Sequence, residues 1–302
     1  MKQAKRVFLP GSEWLYFKIY AGNKTINKIL SNEIPAIIKI LEQEDILSKW
    51  FFIRYSDPDF HLRIRFLLKS NDSFNRVMEL FNKKMDNLNK GGYLWKLQLD
   101  TYTRELERYG NFLIEEAESI FYVDSRCVMS IIKKAEIYKN KNYSWMIALK
   151  MTDALLNDFS YDLQAKQVFT EKMSDSYKLE FGFNQFNSKQ FNSLFRDNKN
   201  NIESVLNNKI SENEFKKLYI YINKRSKELK TIVEKIVTIT NNKKTKISLD
   251  NLISSYIHMN LNRLFISQNR TYELILYDFL NRFYKSEIAK SKYRTINEDE
   301  KK

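Results

Sequence analysis

The stretch from Trp50 to Phe66 constrains the fold more tightly than any other. Two apolar runs, Trp50-Phe51-Phe52-Ile53 and Leu62-Arg63-Ile64-Arg65-Phe66, flank Ser56-Asp57-Pro58-Asp59. In that link proline presets one dihedral and the aspartates bond nearby backbone, so the pattern predicts a hairpin with strands near 49 to 56 and 60 to 68. The second strand alternates strictly. Leu62, Ile64 and Phe66 fall on one face; His61, Arg63 and Arg65 fall on the other.

A row of potentially cationic groups on a strand inside a sheet repels itself and loses hydration unless anions meet it. Two readings stand side by side. One is a solvated or internally ion-paired face, the commoner case for a strand. The other is a floor of guanidinium groups for a carboxylate or phosphate, which arginine binds through two parallel hydrogen bonds. Scarcity favours the second, because the chain has only two histidines and one stands here. The fully apolar opposite face also anchors the strand and holds its cationic side in place.

The elements around the hairpin extend the pattern. Residues 1–12 read as an arm closed by Pro10-Gly11-Ser12. Trp14 to Tyr20 alternates as a first strand, and Ile26, Ile29, Leu30, Ile34, Ile37, Ile38 and Leu41 recur at helical spacing. Asn71-Asp72-Ser73 is placed to cap a second helix, Gly91-Gly92 to break it, and Tyr93 to Leu99 reads as a fourth strand. The order strand, helix, strand, strand, helix, strand predicts an α+β fold, with an N-terminal ferredoxin-like antiparallel sheet (βαββαβ) over 13–100. A mainly helical part over 101–290 and a polar, frayed tail over 291–302 complete a single domain, 1–302. The predicted helices cover 112–121, 127–138, 143–163, 171–184, 188–207, 211–238, 247–265 and 268–288.

Six glycines and three prolines in 302 residues agree with a helix-rich chain rather than a loop-rich β protein. The net charge of +14 allows nucleic acid, an anionic membrane or an acidic peptide as a partner. The lysines and arginines are dispersed, so charge alone argues weakly for nucleic acid. One cysteine, Cys127, excludes an internal disulfide and any multi-cysteine metal site; its setting is that of a small buried hydrophobe. No metal or cofactor is expected. No signal peptide or membrane-spanning stretch is visible, which predicts a cytoplasmic protein.

Two further stretches carry candidate chemistry. In Asp100-Thr101-Tyr102-Thr103-Arg104-Glu105-Leu106-Glu107-Arg108-Tyr109-Gly110, Arg104 and Arg108 lie one helical turn apart with acids interleaved. Loops leaving a sheet favour functional groups, but a short helix with its own ion pairs explains the same spacing. In Ser254-Ser255-Tyr256-Ile257-His258-Met259-Asn260-Leu261-Asn262-Arg263, His258 shares a helix face with Ser254 and Asn262, and Ile257, Leu261 and Leu264 line the other side. A lone histidine on such a helix is more often structural than catalytic. Here it is the second of two, again beside polar groups and an arginine, and imidazole is the side chain that exchanges protons most readily near neutral pH.

Taken in order, Trp50-Phe-Phe-Ile-Arg-Tyr-x-Asp-Pro, His61-Leu-Arg-Ile-Arg-Phe, Glu105-x-Glu-Arg-Tyr-Gly, Ala117-Glu118-x-x-Phe121 with Asp124-Ser125, and His258-Met-x-x-Asn-Arg resemble the C-terminal domain of class I lantibiotic dehydratases, the thiopeptide-type bacteriocin biosynthesis family. The likeness runs from about Trp14 to Tyr284. In that family a large N-terminal domain uses glutamyl-tRNA to esterify Ser and Thr of a precursor peptide. The C-terminal domain then eliminates glutamate, leaving dehydroalanine or dehydrobutyrine. The resemblance thus implies a stand-alone elimination subunit of a split dehydratase, a lyase that acts on a ribosomal precursor peptide and works with a separate glutamylating subunit.

By the family's motifs, Arg65, Arg108 and His258 carry catalysis, with His258 in proton transfer. The resemblance implies Arg63 and Glu105 as substrate-binding groups, and Arg104, His61 and Asn262 are further substrate-binding candidates. Gly110 is followed by Asn111 where many relatives have a second glycine, which puts the local turn geometry in question. Three other readings remain: a pyridine synthase joining two dehydroalanines, a non-catalytic subunit binding the precursor peptide, and RNA binding.

Overall fold

The computed structural model describes residues 3–57, 59–134, 141–211 and 213–299. The turn residue Pro58 lies outside them, as does the end of the predicted 127–138 helix beyond Lys134. The chain forms two compact units, one of residues 1–139 and 227–266, the other of 140–226 and 267–302.

The first unit is built on a four-stranded sheet of β2 (Trp14–Ala21), β3 (Leu47–Ser56), β4 (Phe60–Leu68) and β5 (Leu94–Asp100). Its strand order is β3-β4-β2-β5, and all neighbours are antiparallel. One face is apolar, as the alternation predicts: Leu15, Phe17, Ile19, Leu62, Ile64 and Phe66 are all fully buried. Phe81 of α3 (Phe74–Lys90) stacks on Phe17 at 4.0 Å and meets Phe66 edge-on. The predicted first helix is divided into α1 (Asn23–Lys28), a π turn (Ile29–Glu33) and α2 (Ile34–Gln43). Pro35 stands at the start of α2, where its missing N–H breaks the helical ladder.

The N-terminal arm contains a strand absent from the sequence reading. β1 (Val7–Phe8) pairs with β6 (Tyr102–Thr103) in a separate two-stranded ladder. α4 (Leu106–Tyr109) follows and ends at Gly110, whose φ of +77° suits glycine.

Two predicted helices merge into one, α5 (Ile114–Lys133). Asp124 and Ser125 read as a break between them, yet both are fully buried within the helix. Ser125 has a tertiary role. Its Oγ accepts hydrogen bonds from the Phe52 N–H of β3 at 3.1 Å and from Arg263 Nε of α10 (Leu249–Leu264) at 3.0 Å. The exposed edge of β3 is thereby capped by a helix. Ser125→Ala leaves both donors without this acceptor and is expected to cost about 1–3 kcal/mol, read by urea denaturation. A loss within experimental error contradicts this account.

The second unit is helical, with α6 (Lys141–Asp158), α7 (Leu163–Glu180), α8 (Gln185–Leu206) and α11 (Asn269–Asp299); α9 (Asn213–Asn241) contributes residues to both units. Asp153 anchors its interior, accepting from Lys166 Nζ at 2.7 Å and Tyr284 Oη at 2.9 Å. The tail predicted to fray from 291 instead continues α11 to Asp299. Lys290 ties that extension to Glu287 at 2.8 Å and to Glu203 at 3.2 Å. Among the described residues no helix is long and apolar enough to cross a membrane, and no group of three or more His, Cys, Asp or Glu could hold a metal ion.

Candidate functional site

The second face of the sheet is partly buried, with His61 and Arg65 buried and Lys18, Arg63 and Asp100 half-buried, and aromatic rings cover its cations. Register places Arg65 between Tyr16 of β2 and Phe51 of β3, Arg63 between Lys18 and Ile53, and His61 between Tyr20 and Tyr55. The Arg65 guanidinium carbon stands 4.2 Å from the Tyr16 ring centroid, 4.8 Å from Tyr102 and 5.2 Å from Phe51. Only 8% of the residue is exposed. Among the described residues no carboxylate pairs with it and no acceptor meets its buried Nε. Rings lower the cost of burying this cation but accept no in-plane hydrogen bond, so the site suits an anion.

His61 and Arg63 form a linked pair. Arg63 Nε donates to His61 Nε2 at 2.9 Å, and His61 Nδ1 faces the Asp59 carbonyl at 2.8 Å. This arrangement requires a neutral ring with its proton on Nδ1. Tyr55 stacks on the Arg63 guanidinium at 3.4 Å. His61, expected as a cationic substrate ligand, is instead fully buried and holds Arg63.

Burial pushes the His61 pKa below its ordinary value; the Asp59 carbonyl opposes this, and Arg63 and Lys18 add to it. The folded chain therefore binds this proton less readily than the unfolded chain. The ring's contribution to stability is complete above the unfolded value of about 6.5 and declines as pH falls below it. In His61→Asn the loss of stability between about pH 7 and pH 5 is expected to be shallower. Urea denaturation at the two pH values reads the difference, and equal losses in both proteins contradict it.

Beside Arg63, Lys18 forms an ion pair with Asp100, whose Oδ1 also accepts the Thr101 N–H at 2.8 Å. Burial alone would raise the Asp100 pKa. Lys18, the Thr101 N–H and Arg63 outweigh it and hold the carboxyl below its ordinary range.

Arg108 lies on α4, with Nε donating to Ser255 Oγ of α10 at 3.1 Å. The expected Glu105–Arg108 pair is present but loose and solvent-facing, at 3.5 Å. Ser255 and His258 are three residues apart on α10, so Arg108 reaches the helix within one turn of the imidazole. His258 is half-buried, and its Nε2 lies 3.1 Å from Asn262 Nδ2, which orients the ring.

Packing connects the two groups of residues. Phe51, under Arg65, meets Phe121 at 5.4 Å; Phe121 meets Tyr109 at 5.3 Å and Tyr256 at 6.4 Å. An aromatic seam thus runs from the sheet arginine to the junction of α4 with α10, all within the first unit.

Arg104 does not join this group. Its Nε and Nη2 make paired 2.7 Å bonds to the two oxygens of buried Glu118, which also accepts from Tyr102 Oη at 2.8 Å. A cleft of about 660 Å³ lies beside that pair, among Lys5, Glu13, Trp14 and Lys49, and contains none of Arg63, Arg65, Arg108 or His258. Its walls hold the paired charges Lys5–Glu13 and Arg104–Glu118, which leaves less charge for a ligand than the sheet face does. The sequence reading missed Tyr16, Tyr102, Lys18 and Asp100. The alternation of β2 signals the first and third, but only the strand order shows which residues they meet.

A family model described as lantibiotic biosynthesis dehydratase C-term matches residues 14–284. Nisin biosynthesis protein NisB of Lactococcus lactis subsp. lactis is 28% identical over 296 residues, which cover 94% of this chain and 26% of that protein. The chain therefore spans about a quarter of this curated relative's length. Among solved structures, the tRNA-dependent lantibiotic dehydratase MibB from Microbispora sp. 107891 superposes with a TM-score of 0.68 at 17% identity, over 93% of this chain and 29% of that one. The pyridine synthase TbtD of thiomuracin biosynthesis gives 0.62 at 12% identity, over 91% and 99%. At these identities the structural likenesses speak for the fold.

Proposed function

Because the chain belongs to the lantibiotic dehydratase C-terminal family, we propose that it eliminates glutamate from glutamylated Ser and Thr of a precursor peptide. The product is dehydroalanine or dehydrobutyrine. The observation that carries this reading is Arg65, a buried guanidinium in a box of rings with no carboxylate among the described residues paired to it. A glutamyl ester has a free carboxylate at one end and develops a second as glutamate departs. Arginines aimed at these oxygens orient the group and stabilise the growing charge.

In the reaction the Cα–H bond of the esterified residue breaks, its electrons form the Cα=Cβ bond, and the Cβ–O bond breaks to release glutamate. A carboxylate leaves as the anion at neutral pH and needs no proton. The proton that must move is the one on Cα, and His258 is the group that takes it. Arg63, set by His61 and Tyr55, and Arg108, set by Ser255, act with Arg65 on the leaving group. Glu105 and Asn262 align Arg108 and His258. No cofactor enters this chemistry. A preceding glutamylation step supplies the ester.

The strand order and the two helix-bearing connections support a ferredoxin-like description of the sheet. The family match extends across both units, which supports treating 1–302 as one elimination-type domain.

A second reading, cycloaddition as in pyridine synthases, draws on the fold likeness to TbtD. Incubation with a glutamylated Ser peptide separates the two. Free glutamate and dehydroalanine are expected; an inert glutamyl peptide, together with macrocycle formation from a bis-dehydroalanine peptide, contradicts elimination.

A further inference from the structure

Among the described residues, the paired strand positions of the cationic face carry Lys18, Lys49, Arg63, Arg65 and Lys96 and a single carboxylate, Asp100. Its position in the sheet is specific. Tyr16 pairs with Arg65 on one side and with Asp100 on the other, so the three form one row across β4, β2 and β5. Two strand spacings put the backbones of Arg65 and Asp100 about 10 Å apart. Between them, the Tyr16 ring lies 4.2 Å from the Arg65 guanidinium and 5.7 Å from the Lys18 ammonium. The row thus offers a cation and an anion at opposite ends of an aromatic floor. That spacing leaves room for a ligand of a few bonds with a contact at each end.

A glutamyl ester is such a ligand, with a carboxylate at the far end of its side chain and an ammonium beside the ester. Resting on the elimination reading, we infer that Asp100 receives the α-ammonium while Arg65 receives the carboxylate, so that this row selects an amino-acid ester over a plain diacid ester. Asp100 has capacity for this. An ionised carboxylate accepts at about four positions, and the Thr101 N–H and Lys18 occupy two. Its side chain is 32% exposed, so an ammonium can reach it. The ion pair with Lys18 aims the carboxylate along the face.

The test compares a serine peptide carrying a glutamyl ester with one carrying a glutaryl ester, which keeps the ester and the distal carboxylate and lacks the amine. Release of either acid is measured for the wild type and for Asp100→Asn. The intrinsic difference between the leaving groups is common to both proteins and cancels. The glutamyl-over-glutaryl ratio of kcat/KM is expected to fall by about 10- to 100-fold in Asp100→Asn, the range for a hydrogen bond to a charged group. Asp100→Glu, which keeps the charge, retains the preference.

An unchanged ratio with both esters still cleaved overturns the role of Asp100 and leaves elimination standing. Release of neither acid by the wild type overturns the elimination reading, and this inference with it. Should Asp100→Asn fail to fold, inhibition of the wild type by free acids decides. Glutamate is expected to inhibit about tenfold more tightly than glutarate, and equal inhibition overturns the assignment.

Discussion

Arg65→Ala is expected to lower kcat/KM for glutamate elimination by about 10²- to 10³-fold, the loss that follows removal of one preorganised donor to developing negative charge. The residue is 8% exposed, and no carboxylate among the described residues pairs with it. Its removal therefore leaves no protein anion stranded. What the fold loses is contact with the rings of Tyr16, Phe51 and Tyr102, each worth about 0.5–2 kcal/mol depending on how far the cation is desolvated. Relief from burying a charge offsets part of that loss, so activity should fall far more than stability. Arg65→Lys should not restore the rate, because an ammonium cannot present two parallel donors in the plane that the three rings define. Glutamate release and thermal denaturation on the same preparations measure both effects. Activity within about threefold of the wild type, or restored by lysine, contradicts the assignment, since loss of a catalytic donor exceeds that range.

The second large effect belongs to His258. A positioned general base contributes about 10²- to 10⁴-fold, and His258→Ala is expected to lower kcat by an amount in that range while KM changes little. The imidazole takes a proton and does not hold the glutamyl group, so its loss appears in the chemical step. Asn262→Ala, which removes the amide 3.1 Å from Nε2, should lower kcat by a smaller factor because the base remains but its ring is no longer oriented. A kcat unaffected by His258→Ala transfers the proton step to another group.

The local patterns in the chain were legible because they depend on neighbours in sequence. Alternation in β4 separated Leu62, Ile64 and Phe66 from His61, Arg63 and Arg65, and the sheet keeps that division. The hairpin limits were read within a few residues for the same reason. Features that depend on distant partners were not legible. Arg104 looked equivalent to Arg108, yet one is taken by Glu118 on α5 and the other meets Ser255 on α10. The box around Arg65 draws Tyr16, Phe51 and Tyr102 from β2, β3 and β6, which meet only when the strands assemble.

Two further differences have the same origin. Ser125 resembled a helix boundary because serine favours caps and turns, whereas its hydroxyl is occupied by Phe52 and Arg263. The cationic row was read correctly in position but not in charge, because burial, with Arg63 and Lys18 nearby, favours the neutral His61 that accepts from Arg63.

The central claim is that the sheet arginine and the α10 imidazole act on one glutamyl group. With His61 and His258 the chain's only histidines, imidazole NMR resolves the issue with few signals. The most direct measurement titrates the protein with a peptide whose glutamyl group is attached through an amide in place of the ester, which resists elimination. The His258 resonances are predicted to move on binding in the wild type and to remain still in Arg65→Ala at the same peptide concentration. Saturable binding that depends on Arg65 but leaves the His258 signals in place would show that the two groups serve different sites.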